Sequence, residues 1–452
     1  MAILIRNCSF VVRNSTLIER DCDILTEGSR IKAIGKDLAV TPDCTVIEGR
    51  GCAILPGFVN AHTHLYQNLL KGISPGLSLV PWCDQVLFPN LGAMRTLMGK
   101  KGRRLSYLWT AISSIEMIRG GVTSCVDMDH TSLDIFQAWM DVGFRGVLAY
   151  TLTNKWVPAD LRPDEENMKR QLLNSIENYH RPDGLTTVCV APSTVFLCTD
   201  DFLAWAGKQA ETFNLGMQIH VAETKGEVDD QIKETSRTPV EHLHHLGLLS
   251  ERLTAVHAVH VSAQDVEFLT RSGAQVVHCP KSNMKLADGI APIAWFRQSG
   301  IPVSLGTDGC ASNDLLDMWE EMRSALLLAR VSENRADVIN PEDVFDMATI
   351  TAARAARLEA GEIQVGKLAD MAILELKAAH LQPLHPESLI NMLVFCGKAG
   401  DVRDTIIHGE VVMRDRRITK VNEEALLEEV KELSTGLLVD WPSIESIQEK
   451  TE

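Results

Sequence analysis

Short apolar runs alternate with longer segments of helical periodicity through the middle of the chain, from about Gly57 to Arg330. This alternation indicates repeated strand–helix units, whose strands form a parallel sheet. The eight predicted strands centre on residues 58–59, 122–126, 146–152, 186–191, 217–221, 254–258, 274–278 and 302–305. The helices predicted between them include 104–119, 165–179, 201–212 and 263–272, the last two with Asp201 and Ser262 as N-caps.

Eight such units predict an α/β fold, a (β/α)8 TIM-like barrel over residues 56–361. Strand-like alternation returns at both ends of the chain, at 2–12, 22–34 and 44–54, and again at 371–376 and 404–412. We expect these stretches to pair as one small β-sandwich domain built from residues 1–55 and 362–420. A helical stretch is predicted at 341–358, and the polar, amphipathic residues 421–452 are predicted to form a helical tail.

Composition narrows the class of protein without naming a substrate. The 452 residues carry 44 Lys and Arg against 60 Asp and Glu, and the net charge of −16 argues against binding a nucleic acid polymer. No apolar run approaches the roughly 18 residues of a membrane span, and the first residues do not resemble a signal peptide. The 11 cysteines are scattered without a Cys-x-x-Cys pair, as is typical of free thiols in a reducing compartment. We expect a cytoplasmic protein without membrane partners.

Polar residues at the predicted strand ends supply the candidate chemistry, because barrel enzymes gather reactive groups there. His62 and His64 close the first strand, and the period of two points both side chains to the same face. His220 ends the fifth strand, His257 lies in the sixth and Asp308 follows the eighth. Each alone could be a surface pair, a core histidine or a turn residue. Together they predict one divalent transition metal, zinc or else ferrous iron.

Glu223 lies three residues after His220, where it can reach over the metal without binding it. A metal lowers the pKa of bound water toward about 7, and a nearby carboxylate can carry its proton to a leaving group. His257 would contact the attacking hydroxide or bind the metal, and Asp308 would bind the metal, accept a proton, or do both. These residues predict a metal-activated hydroxide that attacks an sp² carbon, although Glu223 could instead be an exposed loop acid.

Several sequence strings resemble the amidohydrolase superfamily over essentially the whole chain. They are PGFVNAHTH at 56–64, HVAE at 220–223, HAVH at 257–260, LGTDG at 305–309 and VGKLAD at 365–370. SNMKLA at 282–287 and GIAP at 289–292 are similar to the branch that holds S-adenosylhomocysteine and methylthioadenosine deaminases and s-triazine hydrolases. The resemblance implies a homodimer or larger homo-oligomer and a mononuclear site. It implies His62, His64, His220 and Asp308 as ligands, Glu223 as proton shuttle and His257 beside the attacking water.

Two positions depart from the nucleoside-type members of that branch. Those members resemble Ala-Pro-His after the fourth strand, where this chain has Ser193 and Thr194, and they carry a ribose-binding acid near Pro89-Asn90-Leu91. Both departures favour triazine-type or pterin-type relatives. The resemblance makes Arg145 the candidate match for a carboxylate-binding arginine. The long loop predicted at 66–91 would form one wall of the pocket, and the further candidate substrate contacts are Asn68, Trp82 and Asn283.

Two enzymatic hypotheses and one non-enzymatic hypothesis follow. In the first, the enzyme is a deaminase that displaces the amino group of a nitrogen heteroaromatic of purine, pterin or s-triazine type, with Glu223 protonating the ring. In the second, the same site hydrolyses a C–Cl, C–S or C–N(alkyl) bond, or a urea or carbamate. In the third, the barrel has lost catalysis and serves as a binding module without a metal.

Overall fold

The computed structural model describes residues 2–39, 43–73, 76–101, 104–130, 133–159 and 161–437. Five strands open the chain: β1 (Ala2–Val12), β2 (Ile18–Glu27), β3 (Arg30–Gly35), β4 (Cys44–Glu48) and β5 (Cys52–Pro56). The next eight are β6 (Phe58–Thr63), β7 (Val122–Asp129), β8 (Arg145–Leu152), β9 (Thr186–Pro192), β10 (Met217–Val221), β11 (Leu253–His257), β12 (Gln275–His278) and β13 (Val303–Leu305). Four more follow: β14 (Met371–Glu375), β15 (Val402–Ile407), β16 (Glu410–Arg414) and β17 (Arg417–Ile418).

Strands β6 to β13 pair side by side in chain order, all in parallel, so the eight predicted barrel strands are confirmed. The ends of this sheet approach each other where the Asp308 amide donates to the His62 carbonyl at 3.0 Å. Small apolar side chains such as Val59, Ala61 and Ala149 fill the interior. The near-closed barrel therefore has a packed core.

Helices lie between the barrel strands, and further helices follow the last barrel strand and the strands of the terminal sheet. They are α1 (Leu79–Trp82), α2 (Phe88–Lys101), α3 (Arg104–Arg119), α4 (Leu133–Val142), α5 (Glu165–Tyr179), α6 (Asp200–Thr212), α7 (Lys225–Thr235), α8 (Pro239–His245), α9 (Ala263–Ser272), α10 (Pro280–Lys285), α11 (Ile293–Gln298), α12 (Cys310–Asn313), α13 (Met318–Ser332), α14 (Pro341–Ala348), α15 (Ile350–Ala355), α16 (Leu389–Cys396) and α17 (Glu423–Leu437). The predicted α3, α5 and α9 are confirmed with their bounds, as is Ser262 as the N-cap of α9.

Three local predictions were wrong in detail. The N-cap of α6 is Thr199, whose hydroxyl accepts from the Phe202 amide; Asp201 lies inside the first turn, where its charge suits the helix dipole. The helix expected at 341–358 is interrupted at Thr349, whose backbone leaves the helical region. The loop expected at 66–91 is largely helical in its second half, because α1, a π-helical turn at Cys83–Leu87 and α2 follow one another.

The strands from both ends of the chain form one further sheet, in the order β17-β16-β15-β14-β5-β1-β2-β3, with β4 beside β1. The central pairing joins β5 to β14, and β5 leads into the first barrel strand through Gly57. A Cβ at Gly57 would lie 2.2 Å from the Thr123 side chain, so this connection requires glycine. The pairing of the two termini is thereby confirmed. Residues 438–452 of the predicted helical tail lie outside the described residues.

Among the described residues, no helix is both long and apolar enough to cross a membrane.

Candidate active site

The carboxyl ends of the barrel strands surround a cavity of about 670 Å³. Its floor carries predicted site residues from several strands: His64, His220, Glu223, His257 and Asp308 all line it. Residues distant in the sequence meet here because parallel strands bring their carboxyl ends to one edge. The cavity is therefore the candidate active site.

Three histidines and an aspartate converge at the bottom of this cavity. The ligand atoms of His62, His64 and His220 all lie within 4.8 Å of one another, and the Nε2 atoms of His62 and His220 are 3.2 Å apart. Asp308 Oδ1 is 3.4 Å from the Nε2 atoms of both His62 and His64. His62 is fully buried, His220 and Asp308 are 8% and 6% exposed, and the His64 side chain is 11% exposed. The predicted ligand set is thus brought together around one point.

Each of the four imidazoles is held through its other ring nitrogen. Nδ1 faces an oxygen acceptor in every case, so Nδ1 carries the proton and the Nε2 lone pair is left to face the cluster. The pairs are His62 with Gln218 Oε1 at 2.8 Å, His64 with the Met128 carbonyl at 2.8 Å, His220 with the Ser193 carbonyl at 2.6 Å, and His257 with Asn283 Oδ1 at 2.8 Å.

Burial also keeps the imidazoles of His64, His220 and His257 neutral. It lowers the pKa of His64 to about 4 and that of His257 to about 4, and it holds the pKa of His220 well below the ordinary value, with His62 adding to the effect. Only a neutral imidazole offers a lone pair to a cation. Near neutral pH, these histidines are therefore in the form that binds metal.

Asp308 is oriented by two serines. Its Oδ2 accepts from Ser282 Oγ at 2.5 Å and from Ser312 Oγ at 3.0 Å, which leaves Oδ1 to face the histidines. Burial acts to raise the pKa of this carboxyl, but the contacts with His62, His64 and His257 hold the pKa well below its usual range. Asp308 is thus an anion whose one free oxygen points at the cluster.

Glu223 lies opposite, directly after β10, with its Oε1 3.5 Å from His257 Nε2. Its backbone amide donates to Glu227 Oε2 at 2.8 Å, which fixes the loop that carries it. Burial, reinforced by the carboxylates of Asp288 and Asp308, raises the pKa of Glu223 well above the ordinary value. The side chain therefore holds a proton more readily than an exposed glutamate does and can release it inside the cavity.

Only one of the four predicted substrate contacts lines the cavity, and that is Trp82. Asn283 is fully buried and holds His257, while Asn68 donates to Glu116 at 3.3 Å. Arg145 begins β8 at the opposite end of the barrel, where its buried guanidinium pairs with Asp370 at 2.7 Å. The prediction for Arg145 was wrong because the arginine belongs to the contact between barrel and terminal sheet.

Several residues that line the cavity were missed from the sequence. Gln67 Oε1 is buried without a hydrogen-bond partner among the described residues and lies against Gly309, next to Asp308. Trp156 and Phe196 come from the segments after β8 and β9. The one sequence signal for these residues is that they follow strand ends. A single aromatic residue in a connecting segment has the same sequence pattern whether it lines a cavity or packs within its loop.

This barrel, with a histidine and aspartate cluster at its strand ends, defines a hydrolase of the metal-assisted barrel class. The sequence matches the amidohydrolase family over residues 53–412, and the chain belongs to that family. The protein is accordingly an enzyme that hydrolyses carbon–nitrogen bonds other than peptide bonds, as the sequence predicted.

Relatives and solved structures extend the match over nearly the whole chain. The 5-methylthioadenosine/S-adenosylhomocysteine deaminase of Pyrococcus furiosus is 34% identical over 94% of this chain and 98% of its own. The 5'-deoxyadenosine deaminase of Methanothrix thermoacetophila is 36% identical over 94% and 97%. A zinc-bound adenosine deaminase from Xanthomonas campestris superposes with a TM-score of 0.89, at 26% identity over 97% and 98%. A triazine hydrolase has the same fold, with a TM-score of 0.89 at 23% identity over 96% and 99%.

Proposed function

We propose that the protein is a deaminase that hydrolyses the exocyclic amino group from a nitrogen heteroaromatic ring. The observation that carries this proposal is the pairing of a histidine–aspartate cluster with Glu223, a buried carboxyl that lies 3.5 Å from His257 in the same cavity. An amine is a poor leaving group and needs a proton delivered as it departs. The deaminase relatives, which are named for adenosine derivatives, support the same reaction.

The residues present fit one divalent transition metal, for which we propose zinc. Three neutral imidazole nitrogens and one carboxylate oxygen form a donor set that suits zinc better than magnesium or calcium. With both Nδ1 atoms protonated, the Nε2 lone pairs of His62 and His220 face each other at 3.2 Å, an arrangement that a cation between them would stabilise. When bound, the metal would act as a Lewis acid that lowers the pKa of a water molecule, so that the water can lose a proton and attack the ring.

The side chains of this protein provide the proton movements. Asp308 Oδ1 accepts a proton from the attacking water, and His257 Nε2 lies where it can contact the oxygen that adds to the ring. Glu223 protonates the ring nitrogen next to the attacked carbon, then takes the proton of the added hydroxyl group and passes it to the departing amine. The proton that Asp308 accepted from the water restores Glu223 at the end of the cycle. The serines on Asp308 Oδ2 and the Asn283 contact of His257 keep both groups aimed while this occurs.

Two buried polar atoms are placed to recognise the ring itself. Gln67 Oε1 is an acceptor and Trp82 Nε1 is a donor, and both line the cavity without a hydrogen-bond partner in the part of the chain that the structure describes. An amino-substituted heterocycle offers the complementary N–H and ring nitrogen. We propose that these two residues hold the ring beside Glu223.

We also propose a homo-oligomeric, cytoplasmic enzyme. All 11 cysteines are free thiols, and nine of them are buried, which supports a reducing compartment. The family resemblance supports the oligomer.

A panel of adenosines, guanines, pterins, aminotriazines, chlorotriazines and ureas tests the proposed reaction, with released ammonium, chloride and alkylamine assayed separately. We expect ammonium from at least one amino-heterocycle. Glu223→Gln should reduce kcat/KM for that substrate by about 10²- to 10⁴-fold while the bound metal is retained. Glu424→Gln, an exposed acid on α17, is the matched control. Release of chloride or alkylamine alone would replace deamination by the second type of hydrolysis.

A further inference from the structure

We propose that the heteroaromatic substrate carries a bulky apolar substituent, which fills a compartment of the cavity formed by Leu87, Phe88, Leu91, Met94, Trp156 and Phe196. This inference rests on the proposed deaminase function and adds the class of substituent. We call these six residues the apolar compartment.

One side of the apolar compartment is a single stripe of helix. Leu87, Leu91, Met94 and Met98 recur at spacings of four, three and four residues, and all of them line the cavity. This spacing places side chains on one face of a helix. The neighbouring face of the same segment packs into the protein through Val86 and Asn90, both of which are buried. The segment therefore presents a continuous apolar surface to the cavity.

The other side is a chain of aromatic rings. The Phe88 and Trp156 rings meet edge to face at 5.4 Å, and the Trp156 and Phe196 rings do the same at 5.7 Å. Trp156 keeps 41% of its surface exposed and has a left-handed backbone, with φ of 57°. Large exposed aromatic surface beside a catalytic cavity is suited to an apolar ligand group.

Polar groups near the apolar compartment form hydrogen bonds within the protein. The Asn90 amide donates to the Val86 carbonyl at 2.6 Å, and the adjacent Leu91 lines the cavity. The Ser193 carbonyl holds His220, and Thr194 Oγ1 accepts from the Leu197 amide. No carboxylate at these described positions is available to bind a diol.

The charged residues that line the cavity are also engaged within the protein. The Arg162 guanidinium donates to the Val157 carbonyl at 2.8 Å, and the Asp164 carboxylate caps α5. Arg95 has an interaction of its own within the chain. The apolar side chains are thus the surface that this end of the cavity offers to a substrate.

A matched pair of substrates tests the inference. On whichever ring the panel identifies, one compound carries an N-benzyl group and the other a dihydroxypropyl group at the same nitrogen. With the metal-loaded enzyme, we expect kcat/KM for the benzyl compound to exceed that for the diol at least tenfold. Equal kcat/KM values, or a higher value for the diol compound, would overturn the inference. Ammonium release from either compound would still support the deaminase function.

Two variants test whether the apolar compartment causes the preference for the benzyl compound. Leu91→Asp and Trp156→Ser should each lower the benzyl-to-diol ratio at least fivefold, while Leu327→Asp on the exposed face of α13 should leave it unchanged. A ratio unchanged in both compartment variants would overturn the proposed location. If no ring in the panel releases ammonium, the proposed function fails. The N-benzyl and N-dihydroxypropyl derivatives of adenine then test the apolar compartment independently, by equilibrium binding in a calorimeter. Tighter binding of the benzyl compound is then expected, and equal or weaker binding contradicts it.

Discussion

At the scale of single residues, the site depends on hydrogen bonds made behind the metal-facing atoms. Each imidazole uses Nδ1 to contact an oxygen, and Asp308 uses Oδ2 in the same way. These contacts select one tautomer and one orientation before any ligand arrives, so they lower the entropic cost of binding a cation. The partner residues should then matter for metal affinity although none of them touches the metal.

Gln218 gives the sharpest test of this arrangement. It accepts from His62 Nδ1 at 2.8 Å and anchors itself to the Ala61 carbonyl at 2.9 Å. Gln218→Leu removes the acceptor and should weaken metal binding by about 10- to 100-fold. Competition against a chromophoric chelator measures the dissociation constant.

The conservative variant Gln218→Glu serves as the control, because it retains an acceptor for His62 and should bind metal more tightly than the leucine variant. Wild-type affinity in Gln218→Leu would show that the tautomer of His62 is set by some other contact.

At the scale of elements, α12 and the first turn of α13 support the segment after β13 from outside the barrel. Asn313 donates to the Thr307 carbonyl at 2.6 Å and to Glu321 Oε1 at 2.7 Å. Glu321 is fully buried, and burial raises its pKa to about 8, against an ordinary value of 4.5. The residues that support the Asp308 turn thus include a buried carboxyl whose protonated form is favoured by burial.

This carboxyl should make stability depend on pH. The unfolded chain releases the Glu321 proton near pH 4.5, whereas the folded protein keeps it until about pH 8. Its contribution to folding is therefore complete below 4.5 and is lost as the pH rises toward 8, by at most about 1.4 kcal/mol per pH unit. Glu321→Gln, which cannot ionise, should become progressively more stable relative to wild type over that range. Urea unfolding at several pH values measures this difference.

Glu320→Gln is the matched control, because this neighbouring acid in the same turn is partly exposed. The contrary result would be that the free energies of unfolding of wild type and Glu321→Gln differ by the same amount at every pH. That result would mean that the Glu321 carboxyl titrates in the folded protein as it does in the unfolded chain.

At the scale of the whole molecule, one buried ion pair joins the barrel to the terminal sheet. Arg145 meets Asp370 through two contacts, at 2.7 and 3.1 Å, and both side chains are only 1% exposed. Asp370 also accepts from the His408 amide at 2.7 Å, so the pair bridges β8 and the turn between β15 and β16. This contact lies at the opposite end of the barrel from the cavity.

Removing one partner should destabilise the protein without altering catalysis. Arg145→Met leaves the Asp370 carboxylate buried and unpaired, and we expect the free energy of unfolding to fall by about 3–5 kcal/mol. The kcat/KM of the folded enzyme should stay at the wild-type value. Denaturant unfolding and steady-state kinetics measure the two effects.

The double variant Arg145→Met/Asp370→Leu should recover part of the lost stability, because it leaves no charge unpaired. Arg335→Met, which breaks an exposed pair with Asp337, should have little effect. If Arg145→Met changes KM and leaves the free energy of unfolding unchanged, the result would support the original prediction that Arg145 binds the substrate.

The sequence by itself determined the order of elements and the residues of the histidine–aspartate cluster. Apolar runs such as 217–221 identify buried strands because burial on both faces leaves few polar positions. His62, His64, His220 and Asp308 could be found because each follows or ends a strand, and strand ends converge in a barrel.

Only the tertiary structure decided which polar residues face the substrate. Asn283 and Arg145 have the chemistry of substrate contacts, yet one holds His257 and the other pairs with Asp370. A hydrogen-bonding side chain satisfies whichever partner packing places within about 3 Å, and the sequence does not record that partner. The apolar stripe at 87–98 shows the same limit, because helical spacing identifies a face and only packing reveals that this face borders the cavity.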